Sequence, residues 1–516
     1  AQAFCGALHS VKSRFHPSYS VLDPLHTFSG SEPNMALHVQ RILAALLLSP
    51  RLTDSALLAS NLRGHHAGQA GCADLKSEGG GVYFSVVAQV GTPEQNFSVV
   101  ADTGSNSVIV PSCVCADNGF CSKQESCFRG TDKSSTFRLP QKGKSNELTS
   151  FVITFGSGQV EAVVAQDRLV VGDTSTYMKD GILLMTNKAL NIDNFGGILG
   201  LGVPQPERPA GGKGVASPKS FLEQAGIQRF SICFGEHGGS IRSGLPPLES
   251  ALHSVGQEHW ALDLQGISVG DSAFGASLAP SCRASEKAEG KLTACSAIPD
   301  SGTSALVGPA DQVQTLMEGI CDAWPRCHRN FSLMNKAEAA AGKAATDVLG
   351  YNPWKFPKVS KANVFQQLLM ECDTWLQEDG ASLDELPKLN FHVADAGGKL
   401  RALHIPSVAY VAEINNSELE YVYKNVKGLG KIPIGTRPTG ETVKVCSPLL
   451  SPMSMKSAET GSTWILGVPL FSEYVVSYDL KERSISLSSS GAGAACGGCA
   501  EDPLALVDGE GRAPRE

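Results

Sequence analysis

An all-β chain folded as two similar lobes is what this sequence predicts, on two observations. Gly (54 residues) and Pro (28 residues) punctuate the 516-residue chain, and short β-branched runs such as 82–87 (VYFSVV) and 169–171 (LVV) lie between them. That is the pattern of many short strands separated by turns. The second observation is an internal repeat. An apolar run enters Asp102-Thr103-Gly104-Ser105, followed at a distance by Ile198-Leu199-Gly200. A second apolar run enters Asp300-Ser301-Gly302-Thr303, followed by Ile465-Leu466-Gly467. Two copies in the same order imply two lobes of one design.

The chain divides accordingly. Residues 1–80 show no strand pattern and lead into Gly79-Gly80-Gly81, a flexible joint, so they read as a signal and propeptide region. Within them Met35 begins a segment with His38 and Arg41 ahead of an apolar run at 42–48. It fits an internally starting secretory signal or an amphipathic propeptide helix equally well. Residues 81–250 form the first β lobe with Asp102, and 251–490 the second with Asp300. The second lobe is longer because of an insertion near 322–371, part of which (335–346) favours helix. Residues 491–516 are small and polar and read as a disordered tail, with the cysteines of Cys496-Gly-Gly-Cys499 incidental to it.

Composition narrows the function. Apolar residues make up 42% and charged residues 18%, enough for true cores. The formal net charge is −8 and no Lys/Arg-rich run occurs, so no electrostatic footprint for nucleic acid is present. No apolar stretch reaches the ~20 residues of a transmembrane helix. Fifteen cysteines and three N-x-S/T sequons, at Asn96, Asn330 and Asn415, point to the secretory pathway. The odd count leaves at least one thiol unpaired or joined to another chain. Cys113, Cys115, Cys121 and Cys127 have a spacing that zinc also uses, but here two disulfides are expected, with no metal and no cofactor.

The repeated tetrapeptide carries the chemistry. Two carboxylates held side by side cannot both ionise, so one keeps a proton. The pair then offers a general base to activate water and a general acid to polarise a carbonyl and protonate a leaving amine. Gly104 and Gly302 allow tight turns that bring backbone N–H groups to the carboxylates. Thr103 and Ser301 have hydroxyls able to bond across to the opposite loop. Ser105 and Thr303 can donate to the outer carboxylate oxygens. Neither G-x-S-x-G nor H-E-x-x-H occurs, which leaves serine-hydrolase and zincin chemistry without support.

These residues resemble the active-site loops of the pepsin-like aspartic peptidases. The resemblance rests on 102–112 (DTGSNSVIVPS), 297–309 (AIPDSGTSALVGP), 198–202 (ILGLG), Phe230-Ser231-Ile232, Trp260 with its following strand, and 464–467 (WILG). It runs in order over roughly 82–490. It implies a bilobal β fold with the substrate cleft between the lobes, Asp102 and Asp300 as the catalytic pair, and peptide or protein substrates cut by a monomer. Cys282 with Cys295 and Cys372 with Cys446 fall where the family often has disulfides. The clustered cysteines and Cys233 after Phe-Ser-Ile look more like nepenthesin-type and protist branches. The compartment implied is extracellular, or vacuole- or lysosome-like. The alternative is a member that has lost activity and serves as a binding or inhibitor protein, whose usual mark is a damaged Asp loop; both loops here are intact.

Two departures stand out. The family's flap hairpin carries a Tyr that hydrogen-bonds a Trp beyond the first Asp loop. The hairpin here is 151–164, with Gly156, Ser157 and Gly158 at its tip; Phe155 stands at the Tyr position and Ile109 at the Trp position. These five are the expected substrate-binding residues, with an apolar contact between Phe155 and Ile109. Pro299, directly before Asp300, removes a ladder donor from a strand expected to be central.

Overall fold

The computed structural model describes residues 70–489 and 496–499, apart from 124–125, 141–147, 149, 157, 191–195, 206–217, 272–276, 350–358, 427–429, 454 and 458. The Met35 segment lies outside the described residues. Strands dominate, in two large sheets and one long two-stranded ribbon.

The first lobe builds its sheet from Gln95–Asp102, Tyr83–Val90 and their neighbours. Gln95–Asp102 buries Phe97, Val99 and Ala101 at alternate positions, the period of a strand with one face on a core. It pairs in parallel with Ile198–Gly200, placing Asp102 opposite Gly200. In the second lobe Cys295–Pro299 pairs in parallel with Ser462–Leu466, with Pro299 opposite Leu466, one position before Asp300 and Gly467. The two halves of the repeat are therefore neighbouring strands. The glycines in them are close-approach positions: a side chain at Gly200 would strike the Ser107 backbone nitrogen, and one at Gly467 the Thr303 carbonyl oxygen.

Three elements differ from the sequence reading. Gly71–Glu78, inside the segment read as strandless, is a strand lying between Gly238–Ser243 and Tyr83–Val90. Its own pattern is weak because only Ala73 and Leu75 reach the core. Tyr474–Asp479, at the end of the second lobe's sequence, continues the first sheet by pairing with Arg229–Gly235, and Ser484–Ser489 pairs in turn with Tyr474–Asp479. The Cys496–Cys499 stretch is not loose. Cys496 bonds Cys233, Cys499 bonds Cys72, and the Cys499 N–H donates to Asp74 Oδ1 at 2.7 Å.

The expected insertion is helical. Ala310–Ala323, Pro325–Leu349 and Lys361–Met370 pack together around Trp324, Phe365 and Leu369, all fully buried. Cys321–Cys327 ties the first two helices and Cys372–Cys446 anchors the end of the insertion to the ribbon strand Gly430–Pro448. All fourteen described cysteines are paired, in seven disulfides that include Cys113–Cys127, Cys115–Cys121 and Cys282–Cys295. Among the described residues no helix is long and apolar enough to cross a membrane.

Candidate active site

Each Asp loop leaves its parallel strand pair and meets the other loop. The contact is reciprocal. Thr103 N–H donates to Ser301 Oγ and Ser301 N–H donates to Thr103 Oγ1, both at 3.0 Å. The same hydroxyls donate onward, Thr103 Oγ1 to the Pro299 carbonyl at 3.0 Å and Ser301 Oγ to the Ala101 carbonyl at 2.8 Å. Both side chains are fully buried, so these four bonds are shielded from water.

The lattice holds the carboxyl groups against each other. Gly104 N–H donates to Asp102 Oδ1 at 2.8 Å and Gly302 N–H to Asp300 Oδ1 at 2.9 Å. Ser105 Oγ donates to Asp102 Oδ2, and Thr303 Oγ1 to Asp300 Oδ2 at 2.6 Å. A methyl on Gly104 would lie 2.6 Å from Asp300 Cγ, and one on Gly302 2.7 Å from Asp102 Cγ. No residue larger than glycine fits at either position without moving a carboxylate. Both Asp side chains are nearly buried. Burial first, and the neighbouring Asp300 charge second, push Asp102 up to about 8, against the hydrogen bonds from Ser105 and Gly104 that pull it down. Asp102 therefore holds a proton well above the usual carboxylate range.

Comparison with known proteins gives the family. Residues 82–379 match the family described as eukaryotic aspartyl protease. The chain belongs to that family. Similar proteins include Napsin-A of Mus musculus, 30% identical over 258 residues, which are 46% of this chain and 54% of that protein. Cathepsin E of Cavia porcellus is 30% identical over 251 residues, 46% of this chain and 57% of its own. Phytepsin of Hordeum vulgare is 29% identical over 267 residues, 48% of this chain and 46% of its own. The chain thus spans about half the length of the curated relatives it matches. Aspartic proteases are the standing example of two carboxyl groups sharing a proton.

The departures from the family pattern have physical accounts. Ser150–Phe155 and Gly158–Val171 form the flap hairpin, with Phe155 paired to Gly158. Phe151, Ile153 and Phe155 face inward and pack on an apolar cluster containing the fully buried Ile109 with Leu183 and Ile198; Val152 and Thr154 face solvent. Phe155 and Ile109 thus share one apolar cluster in place of a hydroxyl-to-indole pair. The tip reaches the second lobe, since a methyl on Gly156 would lie 3.9 Å from Met453 Sδ. Ser157 lies outside the described residues.

Pro299 leaves no donor unmatched. Asp300 N–H bonds the Leu466 carbonyl, so by strand alternation the Pro299 nitrogen faces the opposite side. There the neighbouring strand has ended, its last pair being Leu262 with Ala297. The Pro299 carbonyl on that side accepts from Thr103 Oγ1 and, at 3.4 Å, from Tyr478 OH. His259, which sequence reasoning passed over although it adjoins Trp260, brings Nδ1 to 3.1 Å from the Gly104 carbonyl.

Proposed function

We propose that the protein is an aspartic endopeptidase and that Asp102 and Asp300 activate a water between them to hydrolyse a peptide bond. The observation that carries this reading is the reciprocal lattice that presses two nearly buried carboxyl groups together and gives each the same pair of donors. The proton held by the pair polarises the scissile carbonyl. The ionised carboxylate takes a proton from water, and the leaving amine receives a proton at the end. Balance is kept because water supplies a hydroxyl to the carbonyl carbon and a proton to the amine. The apolar cluster under the flap favours hydrophobic side chains next to the scissile bond.

The protein works as a monomer made through the secretory pathway, for secretion or for a vacuole- or lysosome-like compartment. Seven disulfides support an oxidising route. Exposed side chains at Asn96 and Asn415 suit glycosylation there. It is made as a zymogen whose signal and propeptide lie ahead of Gly71, because the strand beginning there belongs to the sheet.

Purified protein assayed on a generic peptide at acid pH tests the reading. Turnover blocked by a statine-type inhibitor is expected. Asp102→Asn and Asp300→Asn should each remove it while the thermal transition survives. A folded mutant retaining most of the wild-type kcat would show that its carboxylate is not part of the chemistry.

A further inference from the structure

His259 stands where it can control the first Asp loop from the other half of the chain. Its neighbour Trp260 is fully buried, donates from Nε1 to the Leu201 carbonyl at 3.2 Å, and packs against Tyr478. On the other side, the Glu459 carboxylate accepts from Gln257 N–H at 2.8 Å and the Arg483 guanidinium donates to the Gly256 and Gln257 carbonyls. The backbone carrying His259 is therefore held on both sides.

The partner it has is the Gly104 carbonyl. A carbonyl oxygen only accepts, so Nδ1 carries the proton in this contact. That carbonyl belongs to the peptide unit joining Gly104 to Ser105. Ser105 in turn places its hydroxyl on Asp102 Oδ2, and its own carbonyl accepts from Gly202 N–H at 2.6 Å. Orientation of this one peptide unit decides where the Ser105 hydroxyl points.

We infer that His259 is a positioning residue for the reaction: its Nδ1–H fixes the 104–105 peptide and so aims the Ser105 hydroxyl at Asp102. This rests on the endopeptidase reading above and deepens it. The charged groups around the imidazole are Glu258 beside it in sequence, Glu459 and Arg483 against the loop it closes, and the Asp102–Asp300 pair beyond Gly104.

The test compares His259→Asn, whose amide nitrogen falls at the Nδ1 position, with His259→Gln and His259→Leu, which leave that position without a donor. On a generic peptide, the Gln and Leu variants should lose about five- to tenfold in kcat with KM within about twofold, the scale of one hydrogen bond in the reacting complex. The Asn variant should keep kcat within about twofold of wild type by the same reckoning. Because the Ser105 bond pulls the dyad's proton affinity down, its misalignment should also move the alkaline limb of the kcat profile to higher pH in the Gln and Leu variants. A Gln variant with wild-type kcat, an Asn variant as impaired as Gln, or an unmoved limb would overturn the inference alone. A wild-type protein without turnover would overturn the peptidase reading and this inference with it.

Discussion

Gly302 and Gly104 show how little room the dyad has. A methyl added at either sits inside the van der Waals envelope of the opposite carboxylate, 2.7 Å from Asp102 Cγ in one case and 2.6 Å from Asp300 Cγ in the other. The obstacle cannot swing away, because each carboxylate is held at both oxygens by the donors of its own loop. Gly302→Ala is therefore expected to displace Asp102 and cut kcat by about 100-fold or more, the usual cost of a misplacement near 1 Å. The thermal midpoint should change far less than kcat, since only the loop tip moves. Near-normal kcat in Gly302→Ala would mean the carboxyl groups stand further apart than this geometry has them. Ile109 argues similarly against restoring the family's polar flap pair. It is fully buried in its cluster, so Ile109→Trp should destabilise the first lobe by about 1–3 kcal/mol through overpacking. Urea unfolding of that variant is the check, and a lobe as stable as wild type would show unfilled space beside the flap.

Disulfide-bonded ends hold the first sheet together at the level of elements. Gly71–Glu78 has strand neighbours on both sides, and Cys72 ties it to Cys499 across 427 residues of sequence. Cys496 ties the same tail to Cys233, and Arg242 donates to the Gly498 carbonyl at 2.9 Å between the two bridges. Replacing Cys72 and Cys499 together by Ser should cost about 2–4 kcal/mol in denaturant unfolding, because the open chain regains the freedom the bridge removes. Unchanged stability would mean the tail is held by its hydrogen bonds alone. Amino-terminal sequencing of the active form should likewise find Gly71 retained; a mature chain starting after Glu78 would contradict the pairing. These contacts also mark the limit of what the sequence conveys. The Asp loops were legible because each follows a continuous apolar strand and the pattern occurs twice. The hairpin around Gly156 and Gly158 was located by the family resemblance, and it forms as Ser150–Phe155 paired with Gly158–Val171. Gly71–Glu78 was not, because its two partner strands, rather than its own apolar content, make it a strand. The tail cysteines read as incidental because their partners lie 263 and 427 residues away. His259 gave no signal of its own, since only the meeting of the two halves brings it to Gly104.

Across the whole molecule, the buried dyad links stability to pH. Asp102 has a folded value near 8, raised first by burial and then by Asp300, against a carboxyl near 4 when the chain is unfolded. A carboxyl that binds its proton more tightly folded than unfolded adds stability that is complete below the unfolded value and is lost as pH rises through the folded one. The window is therefore from about 4 to about 8, and within it the folded protein should weaken steadily as pH increases. This runs opposite to the usual acid loss, in which salt-bridged carboxylates are protonated. The described ion pairs around Asp322, Glu378 and Glu385 sit on half-buried or exposed surfaces and offset it only modestly. Thermal midpoints of wild type and Asp102→Asn, measured in parallel across that window, separate the two contributions. The neutral amide cannot ionise, so the wild-type curve should fall with pH relative to the mutant curve, the gap changing most between pH 4 and 8. Curves that run parallel throughout would show that the carboxyl pair is solvated and ionises freely in the folded protein. That outcome would also remove the shared proton on which the proposed chemistry depends. A falling difference curve would instead tie the two together: the burial that lets one carboxyl keep its proton is what makes the fold most stable in acid, where such a pair can work.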